Sequence, residues 1–183
     1  PAREEVLAAR TEGKGCSGYY DCKPLKKRDA GRRRMSLGDL SNVPDMEYIS
    51  TGFPELDAVL GGGLVLGKVV LCGGEKGQGK TRMLLQVCGH FATETRKVYF
   101  ASGEDDRLSV AQFAKQLGVK NKYVEIYGDP GGLDIDLLVQ DAQDYGAKLL
   151  IVDSLQVCGR EDVKADVGQV AQVDVVINRV TSF

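Results

Sequence analysis

Eight consecutive residues, Gly74-Glu75-Lys76-Gly77-Gln78-Gly79-Lys80-Thr81, match the phosphate-loop pattern G-x-x-x-x-G-K-[ST] at every fixed position. Glycines at this spacing let backbone amides turn inward around phosphate oxygens, and a following helix adds the positive end of its dipole. Lys80 is expected to reach the β- and γ-phosphates, and the Thr81 hydroxyl to ligate Mg²⁺. The nucleotide-binding set read from the pattern is Gly74 to Thr81 with Arg82 beside it. A second chemical element lies downstream, where Leu149-Leu150-Ile151-Val152 ends in Asp153. That reads as a buried parallel strand with a carboxylate at its C-terminal tip, the edge where open α/β sheets bind ligands. Asp153 is therefore expected to hold the Mg²⁺ shell, directly or through water, with Thr81. Ser154 has two open readings, a neighbour in the metal shell or a helix cap.

The elements needed to position these groups are legible around them. Val69-Val70-Leu71-Cys72 predicts a buried strand over 68–73 leading into the loop, with Cys72 in the core. The loop's helix runs to about Thr93 and carries Cys88. A strand over 97–102 contains Val98, Tyr99, Phe100 and Ala101. Leu108, Val110, Ala111, Ala114 and Leu117 predict a helix stopped by Gly118. Further strands are expected over 123–127 and 148–153, with a turn at Asp129-Pro130-Gly131-Gly132 and a helix over 133–145 between them. Upstream, Phe53, Leu56 and Leu60 predict a short helix capped by Ser50 or Thr51 and ended by Gly61-Gly62-Gly63. The last segment is rich in β-branched residues, which favour strand. Val170, Val173, Ile177 and Val180 nevertheless recur at helical spacing, and the periodicity predicts a helix from about Val167 to the end.

The strand over 97–102 ends in Ser102-Gly103-Glu104-Asp105-Asp106. Its tip should lie near that of the Asp153 strand, hence near the γ-phosphate. Glu104 is then the candidate for polarising the attacking water, with Lys80 as the other catalytic group. Asp105 and Asp106 read as caps of the next helix.

Composition bounds the rest. The chain has 183 residues, a formal net charge of −2 and five cysteines. This suits one α/β domain, over 46–183, behind a basic and irregular arm over 1–45. Pro1 at the start means that an initiator Met has been removed or that the chain is a fragment. No apolar run reaches a membrane helix, so no membrane partner is expected. An odd cysteine count without framework spacing fits a reducing, cytoplasmic setting. Cys16 and Cys22 lack the close partners of a structural zinc site, and zinc is not expected. Lys23, Lys26, Lys27, Arg28, Arg32, Arg33 and Arg34 crowd into the arm against Asp29 alone. Two readings of this block stand, contact with nucleic-acid phosphates or a solvated linker.

At this point the chain resembles a known family. Ile49-Ser50-Thr51-Gly52-Phe53-Pro54-Glu55-Leu56-Asp57, then Leu60-Gly61-Gly62-Gly63-Leu64, then the phosphate loop with Leu84-Leu85-Gln86-Val87, look like the RadA/Sms branch of RecA-like ATPases. Ser102-Gly103-Glu104, Val152-Asp153-Ser154-Leu155-Gln156 and Gly168-Gln169-Val170-Ala171-Gln172-Val173 continue the match. KaiC-like and DnaB-like ATPases share its early part. The resemblance implies an α/β, RecA-like P-loop fold, a mostly parallel sheet with helices on both faces. It implies an ATP- and Mg²⁺-dependent motor on single-stranded or branched DNA in recombination and repair, assembled as a homo-oligomeric ring. A KaiC-like switch without DNA action, or a nucleotide-binding fragment without turnover, are the alternatives. The family pattern begins with a four-cysteine zinc module, whereas here Cys16 and Cys22 alone precede the core, and Lys76 and Gln78 stand where the family usually has Pro and a small or apolar residue. The family pattern continues beyond the helix after Asp153, and an incomplete core is expected, its missing strand lying between the Asp153 strand and the phosphate-loop strand.

The DNA expectation rests on Lys26, Lys27, Arg28, Arg32, Arg33 and Arg34. If it holds, affinity for single-stranded DNA falls steeply with salt, and replacing Arg32, Arg33 and Arg34 by Ala lowers the log–log salt slope by about 2. A titration series across salt concentrations checks this, and an unchanged slope makes the block a linker.

Overall fold

The computed structural model describes residues 38, 43, 45–160, 163, 166–181 and 183. The chain divides into two units, Pro1–Asp45 and Met46–Phe183, and nearly all of the first lies outside the described residues. The elements of the second, in chain order, are α1 (Pro54–Val59), α2 (Lys80–Phe91), β1 (Lys97–Ser102), α3 (Arg107–Gln116), β2 (Val124–Gly128), β3 (Leu133–Asp134), α4 (Ile135–Tyr145), β4 (Ala147–Asp153), β5 (Cys158–Gly159) and α5 (Val170–Val180). A single 3₁₀ turn, Leu155–Val157, connects β4 to β5.

Three strands pair in parallel in the order β2-β1-β4. The central strand is buried on both faces, and its side chains alternate between two apolar layers as the two-residue period of a strand requires. Val98 and Phe100 pack with Leu85, Cys88 and Phe91 of α2 and Val110 and Ala114 of α3. Tyr99 and Ala101 pack on the opposite side with Ile135, Leu138, Val139 and Ala142 of α4 and Val176 of α5. A parallel sheet carries helices on both faces because each crossover must return along one of them. Helix α4 shows how local sequence sets its own start. Asp134 accepts from the Asp136 and Leu137 amides at 2.8 and 3.0 Å, so the helix begins at Ile135. Leu133 and Asp134, expected within that helix, form β3 and pair with β5.

The predicted strand over 68–73 does not form. Val69, Val70 and Leu71 are 49%, 52% and 77% exposed, and Cys72 is exposed rather than in the core. The reason is one of pairing. A strand is held by a neighbour that meets its N–H and C=O groups. No strand among the described residues pairs with this run, or with the edge of β4 that faces away from β1.

Two smaller expectations also change. Ser50 and Thr51 do not cap α1, whose N-cap is Phe53 without a side-chain bond. Both hydroxyls donate to Asp57 instead, each at 2.6 Å, and the Thr51 amide donates to it at 2.8 Å. These bonds, the Ser50 hydroxyl first, hold the Asp57 carboxyl below the ordinary carboxylate range. The final helix forms as the periodicity predicts, but a different stripe faces inward. Gln172 and Val176 are 3% and 0% exposed, whereas Val170 is 68% and Ile177 37% exposed. Gln172 explains the rotation. Its carbonyl accepts from the Arg160 amide at 2.9 Å, and its amide donates to the Arg160 and Val163 carbonyls at 3.0 and 3.2 Å. A buried side chain with its polar atoms satisfied outweighs the burial of one more valine.

The pairing pattern sets an expectation for amide exchange. Amides of residues 98–101 should be protected by the two ladders, while those of residues 69–72 should exchange near free-peptide rates. Hydrogen exchange read by mass spectrometry at neutral pH checks this.

Candidate nucleotide site

Parallel pairing of β1 with β4 sets Ser102 opposite Asp153. Both strands therefore end at one edge, and the groups that follow each tip meet there. Asp153 is 8% exposed. The Thr81 hydroxyl, on the first turn of α2, donates to Asp153 Oδ2 at 2.6 Å across 72 positions of sequence. This bond brings the phosphate loop to the strand tip. Burial pushes the Asp153 carboxyl upward. The Thr81 bond opposes that shift, the charges of Glu104 and Asp105 add to it, and Lys80 opposes it.

The loop has the backbone its chemistry needs. Gly77 and Gly79 lie in the left-handed region at φ +83° and +82°, which a side chain would strain and glycine does not. A Cβ at either position would meet nothing within 4 Å, so the glycines serve conformation rather than packing. The Lys80 ammonium donates to the Gly74 and Glu75 carbonyls, both at 2.8 Å, curling over the loop that it follows. Gly74, Glu75, Lys76 and Gln78 sit in the exposed loop with these residues. Arg82 points elsewhere, its guanidinium lying 5.7 Å from the centre of the Phe113 ring on α3.

Past β1, the two aspartates divide. Asp106 caps α3, accepting from the Leu108 and Ser109 amides at 2.8 and 3.1 Å and from the Ser109 hydroxyl at 2.7 Å. Asp105 is no cap of that helix. Its amide donates to the buried Ser102 hydroxyl at 3.0 Å. Glu104 precedes both, with Oε1 accepting from the Ser154 hydroxyl at 2.9 Å. Pattern reading could place Glu104 near the Asp153 strand, but nothing in residue spacing announced the Ser154 contact, because it depends on register between strands.

The donor set fits a small hard cation and a phosphate chain. A hydroxyl and a carboxylate oxygen already in contact, at a half-dry sheet edge, are the ligand types that Mg²⁺ takes together with water and phosphate oxygens. Lys80 and the loop amides supply positive groups beside them. Cys88 and Cys158 are unsuited to chemistry, since burial pushes both thiols up to about 12. The candidate zinc residues Cys16 and Cys22 lie outside the described residues, as do the candidate DNA contacts Lys26, Lys27, Arg28, Arg32, Arg33 and Arg34.

Comparison with known proteins now bears on this geometry. A family model described as "ATPase: KaiC" matches residues 49–135. The chain is 37% identical over 137 residues to the DNA repair protein RadA of Aquifex aeolicus, covering 75% of this chain and 30% of that protein. It is 34% identical over 170 residues to the DNA repair protein RadA of Haemophilus influenzae, covering 92% of this chain and 34% of that one. RadA of Mycobacterium tuberculosis is 31% identical over 160 residues, with 83% and 33% covered. The chain thus spans about a third of the length of the curated relatives it matches.

The raised Asp153 carboxyl has a consequence for the protein without metal. A carboxyl whose folded pKa lies above its unfolded value destabilises the fold once ionised. The penalty is absent below the ordinary carboxylate range and present in full above the raised value. Asp153→Asn should therefore melt higher than wild type at neutral pH in the presence of a chelator, with the gap closing as pH falls through that range. Paired thermal melts at several pH values check this, and a gap independent of pH would contradict it.

Proposed function

We infer that this chain, a RadA-type member of the RecA-like P-loop ATPases, binds ATP with Mg²⁺ and hydrolyses it in the service of DNA recombination and repair. The observation that carries the reading is the 2.6 Å bond between Thr81 and Asp153. It joins the phosphate loop to the carboxylate at the tip of β4. Magnesium, when bound, would be held by Thr81 and Asp153 and would neutralise charge on the β- and γ-phosphates.

The chain's own residues take the remaining roles. Loop amides from Gly74 to Thr81 orient the phosphates, and Lys80 exchanges its two carbonyl partners for phosphate oxygens. Glu104 accepts a hydrogen bond from the attacking water. As the water oxygen bonds to the γ-phosphorus, the bond from phosphorus to the bridging oxygen breaks, ADP leaves with that electron pair, and the water's proton passes to Glu104. Residues placed this way act mainly by position and charge, which is what phosphoryl transfer asks of a protein.

Action on DNA is supported by the relatives, which are DNA repair proteins, and by the basic block over 23–34; single-stranded or branched DNA as the substrate, assembly as a ring and a cytoplasmic location complete the proposed reading. Among the described residues no helix is long and apolar enough to cross a membrane. The match over 49–135 to the KaiC description favours a second reading, a nucleotide-driven switch without DNA. Salt-dependent DNA binding separates the two.

Lys80→Ala should weaken MgATP binding about tenfold or more, since a charge-assisted contact to phosphate is lost. Glu104→Gln should leave binding within about twofold and slow hydrolysis by about 10²–10⁴. Calorimetry with Mg²⁺ and a phosphate-release assay, with and without single-stranded DNA, check both. Equal affinity in wild type and Lys80→Ala would sink the site. Loss of hydrolysis in Asp105→Asn alongside a silent Glu104→Gln would move the catalytic role one residue.

A further inference from the structure

Ser154 has a partner that neither of its sequence readings contains. It precedes the 3₁₀ turn Leu155–Val157 but gives that turn no side-chain cap. Its hydroxyl donates instead to Glu104 Oε1 at 2.9 Å, joining the residue after β4 to the second residue after β1.

The backbone on either side of Glu104 is already held. The Gly103 amide donates to the Asp153 carbonyl at 2.8 Å. A Cβ at Gly103 would lie 2.4 Å from Val157 Cγ2 and 2.9 Å from Leu133 Cγ, so this residue is pinned between β3 and the 3₁₀ turn. Beyond Glu104, the Asp105 amide donates to Ser102 Oγ at 3.0 Å. The main chain thus delivers the Glu104 Cα to a set place, and only the side chain remains to be aimed. Glu104 is exposed, and an exposed glutamate is spread over several rotamers unless something fixes it. The bond from Ser154 is what does so.

We propose that Ser154 is the positioning residue for Glu104, occupying Oε1 so that Oε2 is left to accept from the attacking water. The inference rests on the reading of Glu104 as the water-polarising group. Ser154 touches neither water nor nucleotide in this role. It acts through the carboxylate, as supporting groups do at precise sites.

The test uses the full chain with MgATP, single-stranded DNA present and absent, and three readouts. These are nucleotide Kd, single-turnover hydrolysis, and the ¹³C carboxyl resonance of Glu104, assigned by its loss in Glu104→Gln. Ser154→Ala should slow hydrolysis about tenfold with Kd within about twofold, the signature of a contact that serves the transition state rather than binding. Ser154→Thr, which keeps the hydroxyl, should restore the rate to within about threefold. Added to Glu104→Ala, Ser154→Ala should have no further effect, because residues that act as a unit are not additive. The Glu104 resonance should move in Ser154→Ala and return in Ser154→Thr. Wild-type hydrolysis by Ser154→Ala, an unmoved resonance, or an undiminished further loss on top of Glu104→Ala would each overturn the proposal. The last would place the hydroxyl in the metal shell. A wild-type chain that shows the resonance shift but no hydrolysis would overturn the hydrolytic reading on which the proposal stands, while leaving the contact in place.

Discussion

Parallel pairing of Ser102 with Asp153 is the constraint from which the site follows. Residues 51 positions apart are held side by side because β1 is buried on both faces and must satisfy its backbone on both edges. A slip of one residue would invert the burial of Val98, Tyr99, Phe100 and Ala101 together, exchanging the two apolar layers. The cores on the two faces therefore enforce the register, and the register brings Glu104, Asp153 and Ser154 to one edge. Chemistry at the sheet's end is in this sense a by-product of packing in its middle.

The phosphate loop joins this arrangement from its far side. Helix α2 is anchored by Leu85, Val87, Cys88 and Phe91, all buried, and its first turn carries Thr81 to the carboxylate at the tip of β4. Position is passed along a rigid element, from apolar contacts near Phe91 back to a hydroxyl three turns away. Lys80, one residue earlier, has no such anchor and rests on the loop's own carbonyls. Its two partners there are neutral and exposed, so a phosphate chain offers stronger, charge-assisted bonds in their place.

Much of this was legible in the residues, for a physical reason. The loop pattern, the apolar run ending in Asp153 and the helical spacing of the last segment are local signals, read within a few residues of the feature they describe. What escaped reading was set by partners outside the pattern being read. Val69, Val70, Leu71 and Cys72 have the composition of a core strand, yet composition does not supply the neighbour that a strand needs. Val170 and Ile177 have the spacing of a buried stripe, yet Gln172 took the inner face because two backbone carbonyls and an amide near Arg160 required it. Ser50 and Thr51 have the chemistry of caps, yet Asp57 was within reach. In each case a polar or pairing demand from elsewhere overruled a sound local preference.

The unpaired run over 69–72 bears on the thermodynamics of the loop it precedes. Helix α2 fixes the loop's exit, but among the described residues no ladder fixes its entrance, so a bound nucleotide must order that entrance from its own interaction free energy. Anything that supplied a strand beside this run would relieve the nucleotide of that work and tighten its binding without touching it. Linkage makes the effect reciprocal, and nucleotide would tighten the hold of that strand by the same factor. An unsatisfied backbone edge next to a phosphate loop is in these terms a coupling element, through which pairing of the sheet and occupancy of the site are each felt by the other.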